Sequence, residues 1–311
     1  MCSHGGPTGA QEVEPRGHRG RGRALPLVDR ASAGYRIRRV LLGPAIGALN
    51  RVLPVLGTRV RETALTLDRP IFVVGCSRSG TSVFVRLLGQ HKDLAGWSEA
   101  GQVFEVNYYD PEIDHVKDSM DITDSDALRI RFLFGLFARV SGRARFVNKH
   151  PQNSLRLGYL KALFPDAIFI HVIRDGRAVV HSTLVKWHQE RFRHRYPFGL
   201  FPKPPEWRKY RQLPLVAQFA HQWEDVVAYA RCAAGRSLTR DAYLEVTYEG
   251  FCSAPHETLR RVDLFCGLDP DGRDYRAIPQ HLTARNRGWQ SGLDSAKVAL
   301  IESTITVSYT H

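Results

Sequence analysis

With 311 residues, 43% of them hydrophobic, the chain has the length and apolar content for one large α/β domain or two small ones. A formal net charge of +13 selects anionic partners without choosing among phosphate esters, nucleic acid, acidic glycans and anionic lipid. Five scattered cysteines with no Cys-x-x-Cys pair argue against a zinc site and fit reduced thiols in the cytoplasm.

Residues 1–34 are rich in Gly, Arg and Pro, lack apolar periodicity, and read as a disordered basic tail. Eleven arginines against four acids in residues 1–62 supply +7 of the net charge. Residues 35–68 form an amphipathic extension with Val40, Ile46, Leu49, Val52, Leu53 and Leu56 at helical spacing and Arg36, Arg38 and Arg39 beside them. Such a stripe packs on a domain or lies on an anionic membrane surface. Its most apolar part, residues 40–56, is interrupted by Pro44, Asn50, Arg51 and Pro54 and is too short to span a bilayer.

The third segment, residues 69–311, carries the enzyme-like pattern. A continuous apolar run from Pro70 to Gly75 reads as a buried parallel strand, followed by a helix at 83–91. A long amphipathic helix is expected from Thr123 to Val140, with Thr123 or Ser125 as N-cap. Strands are expected at 145–148, 167–173 and 242–246, and helices at 152–164, 178–188, 215–232 and 255–266. Residues 191–214 hold five prolines and many bases, which makes a basic loop. Strands alternating with helices indicate an α/β fold of the P-loop nucleotide-binding type, a central parallel sheet with helices on both faces.

Two strand–loop–helix junctions carry the chemistry. The first is Gly75-Cys-Ser-Arg-Ser-Gly80-Thr81-Ser82. Small residues there let backbone N–H groups converge on an anion at a helix N-terminus. A triphosphate loop would place lysine after the second glycine, whereas this chain has Thr81 and offers Arg78 as the loop cation. The second junction is Arg174-Asp-Gly-Arg177, with Ser182 on the first turns of the next helix. Ligands of open parallel sheets bind beyond the carboxyl ends of strands, so both loops should face one crevice.

Together with Lys149-His-Pro151 and Leu163-Phe-Pro165, these loops resemble the superfamily of sulfotransferases dependent on 3′-phosphoadenosine 5′-phosphosulfate (PAPS). The motif style is closest to protein-tyrosine sulfotransferases and related bacterial enzymes, over about residues 70–290. The resemblance implies sulfuryl transfer from PAPS, as co-substrate, to a hydroxyl or amine by in-line displacement, with no catalytic metal. It implies that Arg78, Ser79, Gly80, Thr81 and Ser82 hold the 5′-phosphosulfate. Arg174 and Ser182 would hold the 3′-phosphate, and Tyr248 would lie near the nucleotide. A C-terminal segment at 286–289 would fold over it, where Arg285 and Arg287 could add phosphate contacts.

Glu99 is the expected general base, with Glu105 a near competitor and His91 a weaker one. Lys149 and Arg78 would stabilise charge on the leaving oxygen. The acceptor stays open among a small molecule, lipid, carbohydrate and peptide. The basic stretch 186–211 is a candidate acceptor cover, and homo-oligomerisation is left open. The missing anchor and disulfide pair depart from the tyrosine sulfotransferases and favour a cytoplasmic enzyme, peripheral at most. Two other readings compete. A P-loop kinase would require the lysine that Thr81 replaces. A nucleic-acid-binding protein would use the basic tail, which lacks interleaved aromatics and any specific nucleic-acid motif.

Overall fold

Two of the expected strands, at 70–75 and 167–173, are short and mostly apolar runs, and such runs form where both faces are covered. The computed structural model describes residues 67–105, 110–190, 193 and 197–306, all within the unit Ile46–His311. The basic tail, nearly all of the amphipathic extension and residues 307–311 lie outside the described residues, as do their expected membrane or nucleic-acid contacts.

Five strands form one sheet: β1 (Ile71–Val74), β2 (Leu94–Ser98), β3 (Arg145–Lys149), β4 (Ile168–Ile173) and β5 (Tyr243–Thr247). Their order is β2-β3-β1-β4-β5 and every pairing is parallel. The registers Ser98↔Lys149, Val73↔Lys149 and Val74↔His171 bring the carboxyl ends of β1 to β4 to one edge. From β1 the chain passes through α1 (Thr81–Leu88) to β2 on one side, and from β4 it passes to β5 on the other. The β1/β4 boundary is therefore the point where the winding reverses, and the crevice opens there.

Helices cover both faces. On one, Phe84 and Leu88 of α1 pack with Phe251 of α7 (Tyr248–Ser253) and with Leu259 and Val262 of α8 (Pro255–Phe265), against Ile71, Val73, Ile170 and Val246. On the other, Trp223, Val226 and Val227 of α6 (Leu215–Ser237) meet Ile173 and Val179 of α5 (Gly176–Trp187). Among the described residues the remaining α-helices are α2 (Gly101–Phe104), α3 (Asp124–Val140), α4 (Leu157–Leu163), α9 (Gly288–Gly292) and α10 (Ser295–Thr304). Among the described residues no helix is long and apolar enough to cross a membrane.

Three local expectations differ. The sequence Leu-Ala-Gly-Trp-Ser of β2 shows no strand signal, and pairing with β3 makes it one. The helix expected over 152–164 is instead a 3-10 turn (Pro151–Leu155) and α4, broken at Arg156. That side chain is fully buried and donates to Glu105 Oε1 at 2.8 Å and His115 O at 2.9 Å, partners worth more than a continuous helix. The stretch 197–213 is no solvated loop. Phe198, Trp207 and Tyr210 form their own buried cluster, and a 3-10 helix runs over Trp207–Gln212.

Candidate functional site

The loop after β1 is built by glycine where no side chain fits. At Gly75 (φ 148°) a Cβ would stand 2.4 Å from Val172 O, and at Gly80 (φ 87°) 2.2 Å from Tyr248 Cδ2. Within the loop Ser79 N–H donates to Cys76 O at 3.1 Å, while Gly75 N–H donates to Ser154 Oγ at 2.8 Å. The hydroxyls of Ser77 and Ser79 are buried and lack a hydrogen-bond partner among the described residues. Unpaired buried hydroxyls are costly, and here they sit in the loop just before the N-terminus of α1. An anion of phosphate or sulfate type would satisfy them. Cys76 in the same loop is no nucleophile, because burial pushes its thiol up to about 12.

The second loop meets the first. Arg78 Nε donates to Ser182 Oγ at 3.1 Å, and Arg174 Nη1 donates to Arg78 O at 2.9 Å. Arg174 also donates through Nε to Asn286 Oδ1 at 2.8 Å and through Nη2 to Arg285 O at 2.6 Å, and its guanidinium lies 4.6 Å from the Tyr248 ring centre. Glu249 Oε1 closes the brace by accepting from Asn286 Nδ2 and, at 3.3 Å, from Asp175 N–H. Burial first, with Arg78 adding to it, lowers the Arg174 pKa, against Tyr248 and Glu249. Asp175 caps α5, its Oδ1 accepting from Arg177 N–H at 2.8 Å. Of the five N–H donors of Arg174, one thus ties the second loop to the first and two tie it to the segment at 285–286. Asn286 opens the segment expected to fold over the nucleotide, and Glu249 is the part of this brace that sequence reasoning did not assign.

Lys149 ends β3, one strand away from the phosphate loop, about 4.8 Å by sheet geometry. Its buried ammonium meets Glu99 Oε1 at 3.1 Å, while Glu99 N–H donates to Lys149 O at 2.7 Å. Glu99 remains 31% exposed at its side chain. Its backbone is left-handed (φ 56°), as is that of Arg78 (φ 74°). Such conformations persist where the surroundings over-determine them, commonly at reactive sites.

The competing bases separate by environment. Glu105 is buried and accepts from Arg156 at 2.8 Å and Lys117 at 3.0 Å, which makes it the anchor of a buried ion network. His91 is buried with Nε2 2.7 Å from Asp269 O. Tyr248 starts α7 directly after β5 and backs the loop at Gly80. Thr81 and Ser82 open α1, Thr81 buried and Ser82 exposed. Among the described residues no group of three His, Cys, Asp or Glu side chains is placed to hold a metal ion.

Behind Glu105 the network continues to the basic stretch. The fully buried Lys203 donates through Nζ to Pro111 O at 2.7 Å and Ile113 O at 2.8 Å, and through its backbone N–H to His115 Nδ1 at 3.2 Å. Trp207 Nε1 donates to Asp114 Oδ1 at 2.7 Å, with Arg208 at 2.9 Å. The bases expected to face an acceptor are in part matched by these acids, and segments 110–116 and 197–212 are clasped together.

Comparison with known proteins places these features in context. The model of the sulfotransferase family matches residues 70–272. Human protein-tyrosine sulfotransferase 1 is 31% identical over 127 residues, 38% of this chain and 34% of that protein. The Danio rerio protein of the same name is 28% identical over 183 residues, 54% of this chain and 45% of that one. The chain thus matches between a third and a half of the length of these curated relatives. Among solved structures, a sulfotransferase domain from the curacin biosynthetic pathway superposes with a TM-score of 0.51 at 13% identity, covering 76% of this chain and 97% of the other. A Mycobacterium tuberculosis sulfotransferase superposes with a TM-score of 0.51 at 15% identity over 83% and 81%. At such identity these structures speak for the fold.

Proposed function

The chain belongs to the sulfotransferase family, and from that premise we propose that it transfers a sulfuryl group from PAPS to an acceptor hydroxyl or amine. The observation that carries this reading is the joining of the two strand-end loops through Arg78, Ser182 and Arg174, beside the unpaired hydroxyls of Ser77 and Ser79. Loop N–H groups, Arg78, Ser79, Thr81 and Ser82 would hold the 5′-phosphosulfate. Arg174 and Ser182 would hold the 3′-phosphate, with Tyr248 against the same guanidinium.

In the reaction Glu99 takes the proton of the attacking hydroxyl. A bond forms between that oxygen and sulfur while the bond from sulfur to the bridging phosphate oxygen breaks, leaving adenosine 3′,5′-bisphosphate. Lys149 and Arg78 are fixed cations that oppose the charge growing on the leaving oxygen. Preorganised donors of this kind are worth about 3–4 kcal/mol each. The alternative phosphotransferase reading lacks its lysine, since Thr81 stands in that position.

The acceptor is a small-molecule, lipid, carbohydrate or peptide hydroxyl or amine. A cytoplasmic setting belongs to the same proposal, supported by free thiols at Cys76, Cys232, Cys252 and Cys266 and checked by cell fractionation. Calorimetry with adenosine 3′,5′-bisphosphate against ADP–magnesium and duplex DNA tests the nucleotide reading. Tight binding of the bisphosphate alone, in the presence of a chelator, is expected. Preference for ADP–magnesium, or loss of nothing when Arg78 becomes Ala, would overturn it.

A further inference from the structure

Glu99 faces two physical difficulties. Its left-handed backbone costs about 1–2 kcal/mol for a residue with a Cβ. It is also followed at once by α2, a helix of four residues, too short to be stable alone. Every carbonyl in the last turn of such a helix needs an outside donor. One side chain supplies two. Arg129, buried on α3, donates through Nε to Val103 O at 3.1 Å and through Nη2 to Phe104 O at 3.1 Å, and pairs with Asp126 on its own first turn.

The same helix grips both flanks of Glu99. Trp97, two residues before it, packs on Phe134 and Phe137 with ring centres 5.7 Å and 4.8 Å apart. Phe104, at the end of α2, meets Phe134 at 5.5 Å and stacks on His150, next to Lys149, at 5.9 Å. The link between these aromatic anchors is short, and Arg129 fixes the carbonyls at its far end.

We propose that Arg129 is a positioning residue for Glu99, acting through α2 to hold the carboxylate against Lys149. The inference rests on the reading of Glu99 as general base. Without the guanidinium two carbonyls lose their donors, α2 frays, and the link relaxes out of the left-handed conformation. A displacement of about 1 Å at a reacting group can cost on the order of 100-fold in rate. Glu105 still anchors the next residue through Arg156 and Lys117, so the expected loss is partial.

The test is a double-mutant cycle of Arg129→Met and Glu99→Gln in the full chain. Turnover is followed as release of adenosine 3′,5′-bisphosphate from PAPS. The acceptor probe is whichever of phenol, glucose or a tyrosyl peptide reacts, and water itself where none does. Arg129→Met should lower kcat about 10–100-fold. The KM for PAPS and the Kd for the bisphosphate should stay within about twofold, since the phosphate loops are untouched. In the Glu99→Gln background the same change should lower kcat no further. Arg129→Lys, which keeps a cation near the carbonyls, should recover much of the loss, and Arg129→Gln replaces methionine in the cycle if that variant does not fold. An equal loss in both backgrounds, a wild-type kcat, or a parallel fall in bisphosphate affinity overturns the role of Arg129. Full activity of Glu99→Gln alone overturns the base assignment, a distinct outcome.

Discussion

Gly80→Ala puts the geometry of the first loop to a quantitative test. Two costs add. A Cβ at φ 87° strains the backbone by about 1–2 kcal/mol. That Cβ would also stand 2.2 Å from Tyr248 Cδ2 and 2.6 Å from Cε2, where carbon contacts need about 3.5–4.0 Å, so the ring must retreat by more than 1 Å. The ring cannot retreat freely, because the Arg174 guanidinium lies over it at 4.6 Å. Giving up that contact costs about 0.5–2 kcal/mol. The sum is about 2–4 kcal/mol, a fall in melting temperature of about 4–16 °C for a domain of this size. Arg174 moves with the ring and draws on Arg78 O, so affinity for adenosine 3′,5′-bisphosphate should fall by about tenfold or more, read by calorimetry. In a Tyr248→Ala background the clash vanishes and only the backbone strain of about 1–2 kcal/mol should remain. Equal costs in the two backgrounds, or unchanged bisphosphate affinity in Gly80→Ala, would show that Tyr248 does not back the loop as described.

Glu105→Gln should separate anchor from base: it leaves Arg156 and Lys117 as buried cations without their carboxylate, costing about 3–5 kcal/mol in urea unfolding, while kcat falls far less than in Glu99→Gln. A kcat loss equal to that of Glu99→Gln would reverse the assignment. Acid should destabilise the fold through its buried histidines. Burial lowers His150 to about 3 and His171 to about 4, with His115 lowered as well, against 6.5 when unfolded. The unfolded chain therefore binds more protons, so this stability is whole above pH 6.5 and is lost as pH falls toward the folded values, by about 1.4 kcal/mol per pH unit for each histidine. Unfolding free energies at pH 7, 6 and 5 read the slope, and a flat profile over that interval rejects it. Lys203→Met leaves Pro111 O and Ile113 O without their donor, at about 1–3 kcal/mol. It should raise the acceptor KM and spare bisphosphate binding, and a kinetic split in the opposite sense counts against the clasp as an acceptor wall.

What could be read from the sequence follows from how local each signal is. The strands β1 and β4 are continuous apolar runs, and a run of that kind states its own burial. The phosphate loop was readable because its two glycines, its serines and Arg78 are adjacent in the chain. β2 was not, since Leu-Ala-Gly-Trp-Ser becomes a strand only when β3 lies alongside. The break at Arg156 and the burial of Arg129, Lys203 and Arg273 were equally hidden. Arg273, for example, donates to Leu87 O and Leu88 O while paired with the buried Asp263 at 2.7 Å. A cation in sequence reads as surface, and only distant acceptors make burial affordable.

Four residues other than glycine have left-handed backbones, Arg69, Arg78, Glu99 and Glu206, and two of them, Arg78 and Glu99, are residues to which the proposed reaction gives a task. Glycine would occupy the left-handed positions of Arg78 and Glu99 without strain, yet this chain places long charged side chains at both. Each choice raises the energy of the folded state, and nothing in core packing repays it, since Arg78 is exposed and Glu99 partly so. Local preference yields in this way where a side chain must project from a fixed backbone toward a ligand. Arg78 follows β1 and Glu99 follows β2, and Lys149 ends β3, the strand between those two in the sheet order. In the proposed reaction Glu99 would serve the attacking side and Arg78 the leaving side, with the Lys149 ammonium, 3.1 Å from Glu99 Oε1, between them.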